Sequence, residues 1–263
     1  WIDLFFLPRF QPIELLKPFL IVILATILAS NRITSLYFKY LLSIIVISII
    51  SLLLIIQPDI GQTLLVVFSW VTLIFTSGIN IFFLFGFSLL LLFFLTYMVI
   101  FVPKFDYIQG RIFSFFNRDT GLHNFQSDKA IESIISGGFF GKGIGEGTLK
   151  NRVPEAHTDY IISVISEEFG VVAIILILIL FLVLIYMIFK KLNYEKSEKI
   201  KLILIGCISL ILMQATIHIG VNIRLFPTTG MTLPFLSYGG SSIVSISILS
   251  GMILNLTKRK VNN

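Results

Sequence analysis

The sequence predicts an all-α, polytopic helical membrane protein. Hydrophobic residues make up 56% of the 263-residue chain and charged residues only 13%, and phenylalanine alone contributes 26 residues. Seven apolar runs are long enough to cross ~30 Å of hydrocarbon as helices. Composition and runs together exclude a soluble globular protein.

The seven predicted spans follow one another with a single long interruption. Their bounds are Ile13–Ser30, Leu36–Ile56, Ile60–Ser77, Ile81–Val102, Phe169–Phe189, Leu202–Val221 and Phe235–Leu256. We predict one membrane domain over residues 1–263, in which residues 103–158 form a large extracytoplasmic loop. Because the chain starts at Trp1 without a Met or a signal pattern, we expect it to be N-terminally incomplete.

Lysine and arginine predict which side of the membrane each connection faces. Ten of them flank one set of span ends, whereas only Arg9 and Arg224 flank the opposite set outside the long loop. Since cytoplasmic loops carry the excess of positive charge, the long loop and the polar motifs face outward. The formal charge of +6 then reflects orientation and contact with anionic membrane lipids. It does not indicate a nucleic-acid partner.

The segment P-E-A-H-T-D-Y-I-I-S-V-I-S-E-E-F, residues 154–169, carries the strongest functional signal. Ionisable groups beside hydrocarbon are costly, and a single helix from Asp159 to Phe189 would be roughly 46 Å long. Its start would project into the headgroup layer and bring Asp159 to the polar head of a membrane-anchored substrate. The helix terminus favours the ionised carboxylate, which is a poor base unless desolvation or the nearby Glu155 raises its pKa. The structural alternative is that Thr158 caps the helix and Asp159 complements the helix dipole in the first turn.

Other polar motifs lie on the same predicted outer face. Glu14 and Lys17 are neighbours on one helical face, either as an interfacial ion pair with Lys17 snorkelling or as part of a binding site. Q-P-D-I-G-Q forms a hairpin with more hydrogen-bonding side chains than a turn needs, and S-Y-G-G-S-S starts the last span. The candidate binding residues are Glu14, Lys17, Gln57, Asp59, Gln62, His157, Thr158, Ser237, Gly239 and Gly240.

Six glycines fall between Gly137 and Gly147. They favour a flexible or tightly turning loop over a phosphate-binding nest. Neither nucleotide-binding pattern fits this segment, and the chain has neither a Ser–His–Asp arrangement nor an H-E-x-x-H motif. ATP-driven, hydrolytic and zinc chemistry are therefore not indicated.

Five motifs, in their chain order, resemble the SEDS (shape, elongation, division and sporulation) glycosyltransferases. They are Q-P-I-E-L-L-K-P, Q-P-D-I-G-Q-T, G-G-F-F-G-K-G-I-G-E-G-T, P-E-A-H-T-D-Y and P-T-T-G-M-T-L-P-F-L-S-Y-G-G-S-S. The resemblance covers essentially the whole chain and is greater to division-type than to elongation-type members. It implies a ten-span fold whose first three or so spans precede this chain. Trp1 matches the Trp of the family's Arg-Trp pair and joins the candidate binding residues.

The resemblance implies that the protein polymerises lipid II at the outer face of the bacterial cytoplasmic (inner) membrane, at the division septum. Asp159 matches the family's essential Asp, proposed as the base in an inverting attack, and Lys17, Lys142 or Arg152 are candidates to stabilise the departing pyrophosphate. The pyrophosphate leaving group supplies the driving force, so no ATP is required, and a divalent cation such as Mg²⁺ or Mn²⁺ with Asp159 as a ligand is left open. The implied partners are a class B penicillin-binding protein, which is a single-span transpeptidase, and other divisome proteins.

Three alternatives remain at this point. One is an elongation-type polymerase of the same family, and another is a purely structural scaffold. The third is a transporter that flips lipid II across the membrane. A flippase should show a polar route through the spans, where Gln214 and His218 are the main polar residues.

Overall fold

The structure is a computed structural model of the chain, and it describes residues 2–4, 7–116, 122–148 and 153–258. Within these residues the fold is helical, apart from two short antiparallel strands, β1 (Ile2–Leu4) and β2 (Leu7–Phe10). The helices are α1 (Pro12–Leu28), α2 (Leu36–Ile56), α3 (Ile60–Thr76), α4 (Ile81–Phe101), α5 (Asp106–Phe116), α6 (Leu122–Gly137), α7 (Ile161–Leu192), α8 (Glu198–Asn222) and α9 (Gly240–Thr257). The all-α fold class is confirmed.

Each predicted span overlaps one of these helices. In the described part of the chain, four helices are long and apolar enough to cross a membrane, namely α2, α7, α8 and α9. The chain is therefore an integral membrane protein. Helices α1 and α3 have 17 residues each, which is ~25 Å at ~1.5 Å per residue. For α1, α3 and α4 a full crossing stays a prediction.

The chain forms two compact units. Unit 1 contains Trp1–Leu84, Val183–Met213 and Gly239–Asn263, and unit 2 contains Phe85–Leu182 and Gln214–Tyr238. In unit 1, α1 packs against α2, α3 and α9. Gly206 also lets α8 approach α1 closely, because a Cβ at Gly206 would lie 2.5 Å from the Cγ2 of Ile21. Small residues at such contacts are typical of membrane helices.

Helix α7 is interrupted at Gly170, whose φ of 74° and ψ of −175° are not helical. The glycine-rich segment supplies the backbone partners that the interrupted helix lacks. The hydrogen bonds are Lys142 N to Glu167 O (2.9 Å), Gly143 N to Glu168 O (3.0 Å) and Val171 N to Gly138 O (3.0 Å). The prediction of one continuous helix from Asp159 to Phe189 is therefore wrong, because α7 begins at Ile161 and is broken nine residues later.

Glycines allow the loop to lie directly against α7. A Cβ on Gly137 would stand 1.9 Å from the carbonyl oxygen of Ser166, and one on Gly141 would stand 2.1 Å from that of Glu168. Any side chain at either position would therefore displace the loop from the helix. Two backbone N–H groups of the segment already donate to α7 carbonyls, so the tightly turning loop is confirmed and a phosphate nest is not supported.

The buried Glu167 carboxylate holds the same loop. Its Oε1 pairs with the Nζ of Lys142 at 3.1 Å and accepts from the backbone N of Thr148 at 2.9 Å. Its Oε2 accepts from the Ser133 hydroxyl at 3.1 Å. Since Lys142 is ion-paired here, its predicted contact with a pyrophosphate would compete with a structural bond.

Candidate functional site

Asp159 lies in a turn just before α7. The backbone N–H groups of Thr158 and Asp159 donate to the carbonyl of Glu155 at 3.1 and 3.0 Å and close this turn. The Thr158 hydroxyl donates to Oε2 of Glu155 at 2.9 Å. The predicted helix cap by Thr158 is therefore wrong, and Asp159 lies outside the first helical turn in which the prediction placed it.

Asp159 borders a small cavity within unit 2. Its volume is about 40 Å³, and it is lined by Arg111, Gln126, Asp159, Tyr160, Val221, Thr228, Thr229, Gly230 and Met231. We call this cavity the Asp159 pocket. A Cβ on Gly230 would lie 3.4 Å from Oδ2 of Asp159, so bare backbone faces the carboxylate there. A space of this size admits a water molecule or one hydroxyl group.

Burial raises the pKa of Asp159 from an ordinary value of 3.8 to about 6. The negative charge of Glu155 contributes to this rise, and the positive charge of Arg111 opposes it. A carboxyl group with a pKa near 6 is ionised at neutral pH, yet it accepts a proton more readily than an ordinary aspartate. That combination suits a general base. The sequence suggested the effect of Glu155 but not that of Arg111.

Arg111 is the pocket residue that sequence reasoning missed. One of its terminal nitrogens donates to the carbonyl of Thr228 at 2.8 Å. Burial lowers the pKa of Arg111, and the nearby Tyr160 and Asp159 raise it, but an arginine stays charged at neutral pH. In the sequence it is one of seven basic residues of the long loop, and nothing in its local pattern distinguishes it.

Hydrogen bonds join the segment before Asp159 to the segment before α9. The Ser237 hydroxyl accepts from the backbone N of Leu233 at 2.8 Å and donates to the carbonyl of Thr158 at 2.6 Å. The backbone N of Tyr238 donates to the carbonyl of His157 at 2.9 Å. Ser237 is buried and precedes α9, which starts at Gly240 rather than at the predicted Phe235. Substrate contacts by His157, Thr158 and Ser237 stay predictions.

A second polar cluster lies within unit 1 and joins α1 to the start of α3. Its contacts are Lys17 Nζ to Glu14 Oε2 (2.7 Å), Gln62 Nε2 to Glu14 Oε1 (2.8 Å) and Gln11 Nε2 to Asp59 Oδ2 (2.8 Å). Asp59 also caps α3, because its Oδ1 accepts from the backbone N of Gln62 at 3.1 Å. Burial raises the pKa of Asp59. The sequence placed these two motifs on the same face but did not predict that their side chains contact each other.

The predicted Glu14–Lys17 ion pair is confirmed, but the predicted snorkelling of Lys17 is wrong. Glu14, Lys17 and Gln62 are only 3%, 1% and 5% exposed, so the pair is buried in protein and held by hydrogen bonds. Direct contact of these three side chains with a substrate, including stabilisation of a pyrophosphate by Lys17, is not supported by this burial. The cluster acts as a structural connection between helices.

The remaining candidate positions have mixed outcomes. Gln57 is exposed, and Gly240 leaves bare backbone at the start of α9, since a Cβ there would meet no heavy atom within 4 Å among the described residues. Contacts of Gln57, Gly239 and Gly240 with a substrate stay predictions. Trp1 and Arg152 lie outside the described residues.

A metal site built from protein groups alone does not fit the Asp159 pocket. The described residues contain no group of three or more His, Cys, Asp or Glu side chains that could hold an ion. At the pocket, the Asp159 carboxylate also lies next to the positive charge of Arg111, which disfavours a second cation. We therefore derive no catalytic step through a metal.

The fold and the pocket define a helical membrane protein with a partly buried carboxylate at the mouth of a span. The family model of FtsW, RodA and SpoVE, described as a cell cycle protein, matches residues 1–262, and the chain belongs to this family. The resemblance seen in the five motifs is thereby confirmed.

Curated relatives carry names that agree with this family. The chain is 34% identical over 257 residues to a probable peptidoglycan glycosyltransferase FtsW of Caulobacter vibrioides, covering 95% of this chain and 63% of that protein. It is 31% identical to a protein of the same name from Enterococcus hirae, covering 96% and 66%. It is 33% identical to the stage V sporulation protein E of Bacillus subtilis, covering 94% and 68%. The chain thus spans about two thirds of the length of these relatives.

Solved structures show the same fold. One belongs to a study described as "Structural coordination of polymerization and crosslinking by a peptidoglycan synthase complex", with a TM-score of 0.75 and 25% identity, covering 99% of this chain and 74% of the other. Another is the rod shape determining protein RodA of Thermus thermophilus, with a TM-score of 0.67 and 27% identity, covering 99% and 70%.

Proposed function

We propose that the full-length protein is an inverting peptidoglycan glycosyltransferase that polymerises lipid II at the outer face of the bacterial cytoplasmic membrane during cell division. The observation that carries the proposal is the Asp159 carboxylate, which borders a small pocket next to a membrane-spanning helix and has a pKa raised by burial to about 6. The names of the curated relatives support the same activity.

In the proposed reaction Asp159 is the general base. Its carboxylate accepts the proton from a hydroxyl group of the acceptor sugar, and that hydroxyl oxygen forms a bond to the anomeric carbon of the donor. The bond from this carbon to the lipid pyrophosphate breaks, and the pyrophosphate leaves with the electron pair. Attack from the opposite side inverts the anomeric carbon. The pyrophosphate leaving group supplies the driving force, so the reaction needs no ATP.

The dimensions and charges of the Asp159 pocket agree with this role. A cavity of about 40 Å³ takes one hydroxyl group and not a whole sugar, so the rest of the substrate would lie outside it. The guanidinium of Arg111 keeps part of the Asp159 population ionised and supplies a positive charge near the reacting groups. Preorganised charges of this kind stabilise the charge that develops in a transition state.

The transporter alternative loses its main support in the described residues. Gln214 and His218 were the polar side chains that a route through the spans would need. Both are buried, and they donate hydrogen bonds to the backbone carbonyls of Thr232 and Met231. Side chains committed in this way hold a loop and do not line a path.

The test uses the purified full-length protein with its partner and labelled lipid II, followed by a gel that resolves glycan chains. Asp159→Asn keeps the size of the side chain and removes its charge, and Asp128→Asn, on the exposed side of α6, is the matched control. We expect chains from the parent and from Asp128→Asn but none from Asp159→Asn. A parallel flipping assay in liposomes separates the alternatives, because flipping without any polymer would favour the transporter.

We also propose a single-span class B penicillin-binding protein as the partner, together with other divisome proteins at the septum. The support is the family to which this chain belongs and the likeness of this chain to a solved structure from the study of a peptidoglycan synthase complex. Co-purification from bacterial membranes with a tagged copy tests this. If only elongation-type companions were recovered, the protein would be assigned to the elongation-type members of the family.

A further inference from the structure

A row of polar side chains runs along one face of α8. Gln214, His218 and Asn222 are spaced four residues apart, so they lie one above the other on the helix surface. Their exposed fractions are only 2%, 1% and 0%. Buried polar groups are costly unless they are hydrogen-bonded, so the partners of this row show what it does.

Each member of the row bonds to a backbone carbonyl outside α8. The contacts are Gln214 Nε2 to Thr232 O (3.0 Å), His218 Nδ1 to Met231 O (2.7 Å) and Asn222 Nδ2 to Asp159 O (3.0 Å). A carbonyl oxygen only accepts, so Nδ1 of His218 carries a hydrogen. Met231 and Asp159 both line the Asp159 pocket. The row therefore fixes two walls of that pocket from a single helix.

Asn222 is the member that holds Asp159 itself. Its amide nitrogen also donates to the carbonyl of His218 at 2.9 Å, one turn earlier in α8, so the helix sets the position of the amide. Asp159 lies in a turn outside the helical hydrogen-bond ladder of α7, and this bond ties its main chain to a regular helix.

We infer that Asn222 is a positioning residue for Asp159. It fixes the main chain of Asp159 so that the carboxylate stays at the pocket, and this inference rests on the function proposed above. Misplacing a reacting group by ~1 Å can cost on the order of 100-fold in rate. Loss of the Asn222 amide should therefore lower kcat by about 100-fold and leave the KM for lipid II nearly unchanged.

Two variants of Asn222 remove the bond by different means. Asn222→Asp keeps the shape of the side chain but replaces the donating amide nitrogen with an oxygen that faces the carbonyl oxygens of Asp159 and His218. Asn222→Leu removes the polar group altogether. Thr216→Val is the control, since Thr216 is exposed on the same helix. We would measure kcat, KM and the pH–rate profile on the folded, monodisperse fraction of full-length protein with its partner.

We expect both Asn222 variants to lose kcat. In Asn222→Leu, which adds no charge, we expect the acid limb to move below pH 6, because a displaced carboxyl group is more solvated. A lower yield of protein with an unchanged kcat and pH profile would overturn the inference, since it would show a role in folding only.

A second measurement does not depend on activity. Asp159→Cys places a thiol at the pocket, and its alkylation rate by a small maleimide is compared with and without Asn222→Leu, after subtraction of labelling at the buried Cys207. We expect faster alkylation with Asn222→Leu, and an equal rate would overturn the inference. If the parent makes no glycan, the proposed function fails, while this labelling result still tests the positioning.

Discussion

Removing the positive charge of Arg111 should move the acid limb of the pH–rate profile to higher pH. That charge favours the ionised form of Asp159, so its loss raises a pKa that is already about 6. A nearby opposite charge lowers a carboxyl pKa by roughly 1–3 units. The effect of Arg111 is smaller than those of burial and of Glu155. We therefore expect the acid limb of Arg111→Gln to move to higher pH by about 1 pH unit, the lower end of this range.

The consequence for the rate follows from the ionised fraction of Asp159. At pH 7 this fraction would fall from about nine tenths to about one half, and at pH 6 from about one half to about one tenth. We therefore expect the smaller ionised fraction of Asp159 to slow lipid II polymerisation by Arg111→Gln about twofold at pH 7 and about fivefold at pH 6. Near pH 9 Asp159 is fully ionised in both proteins, so a difference in rate that remains there measures the loss of the positive charge near the reacting groups.

The assay is kcat/KM for lipid II polymerisation between about pH 5 and pH 9, since that ratio reports the pKa of the free enzyme. Arg111→Lys keeps the charge and should shift the limb little, and Lys129→Gln removes a positive charge from the neighbouring helix α6 as a control. Glu155→Gln removes a negative charge, so its limb should move to lower pH. Identical limbs in Arg111→Gln and Glu155→Gln would refute the electrostatic reasoning.

Two further predictions concern stability, measured by thermal unfolding in detergent. Gly170→Ala should destabilise by at least about 1–3 kcal/mol, because its backbone angles are nearly exclusive to glycine and a Cβ there would lie 2.2 Å from the carbonyl of Phe139. Gly251→Ala, where a Cβ meets open space, is the control, and an equal effect would contradict the account of the α7 break. Lys17→Met should cost about 3–5 kcal/mol by leaving Glu14 buried and unpaired, and the double variant with Glu14→Leu should recover most of it. No recovery in the double variant would contradict the ion-pair account.

The sequence predicted the helices well because hydropathy determines where a chain can cross a membrane. Helix α2 has the predicted bounds, and α3 differs at its end by one residue. The misses occur where tertiary contacts override the local pattern. Gly170 is a lone glycine in an apolar run, and its interruption of α7 depends on a loop some 30 residues earlier in the chain, whose backbone supplies the missing partners.

The site was predicted in part for similar reasons. Asp159 and Glu155 are close in sequence, so their interaction was accessible to local reasoning. Arg111 and Asn222 reach Asp159 only through the fold, and neither has a motif that marks it. Lys17 was misjudged because a lysine near a span end usually snorkels, whereas here its buried neighbours satisfy its charge. Gln214, His218 and Asn222 do show a four-residue spacing, and this signal could have identified the row.

The pH dependence of glycan synthesis by Asp159→Asn tests the central claim most directly. The account predicts a loss on the order of 10²–10⁴ in rate at the optimum, as expected when a general base is removed. It also predicts that any residual activity lacks the acid limb that the parent shows near pH 6. A rate of Asp159→Asn within about tenfold of the parent rate would contradict Asp159 as the base. A residual rate that still decreases as the pH falls through about 6, as in the parent, would contradict it as well.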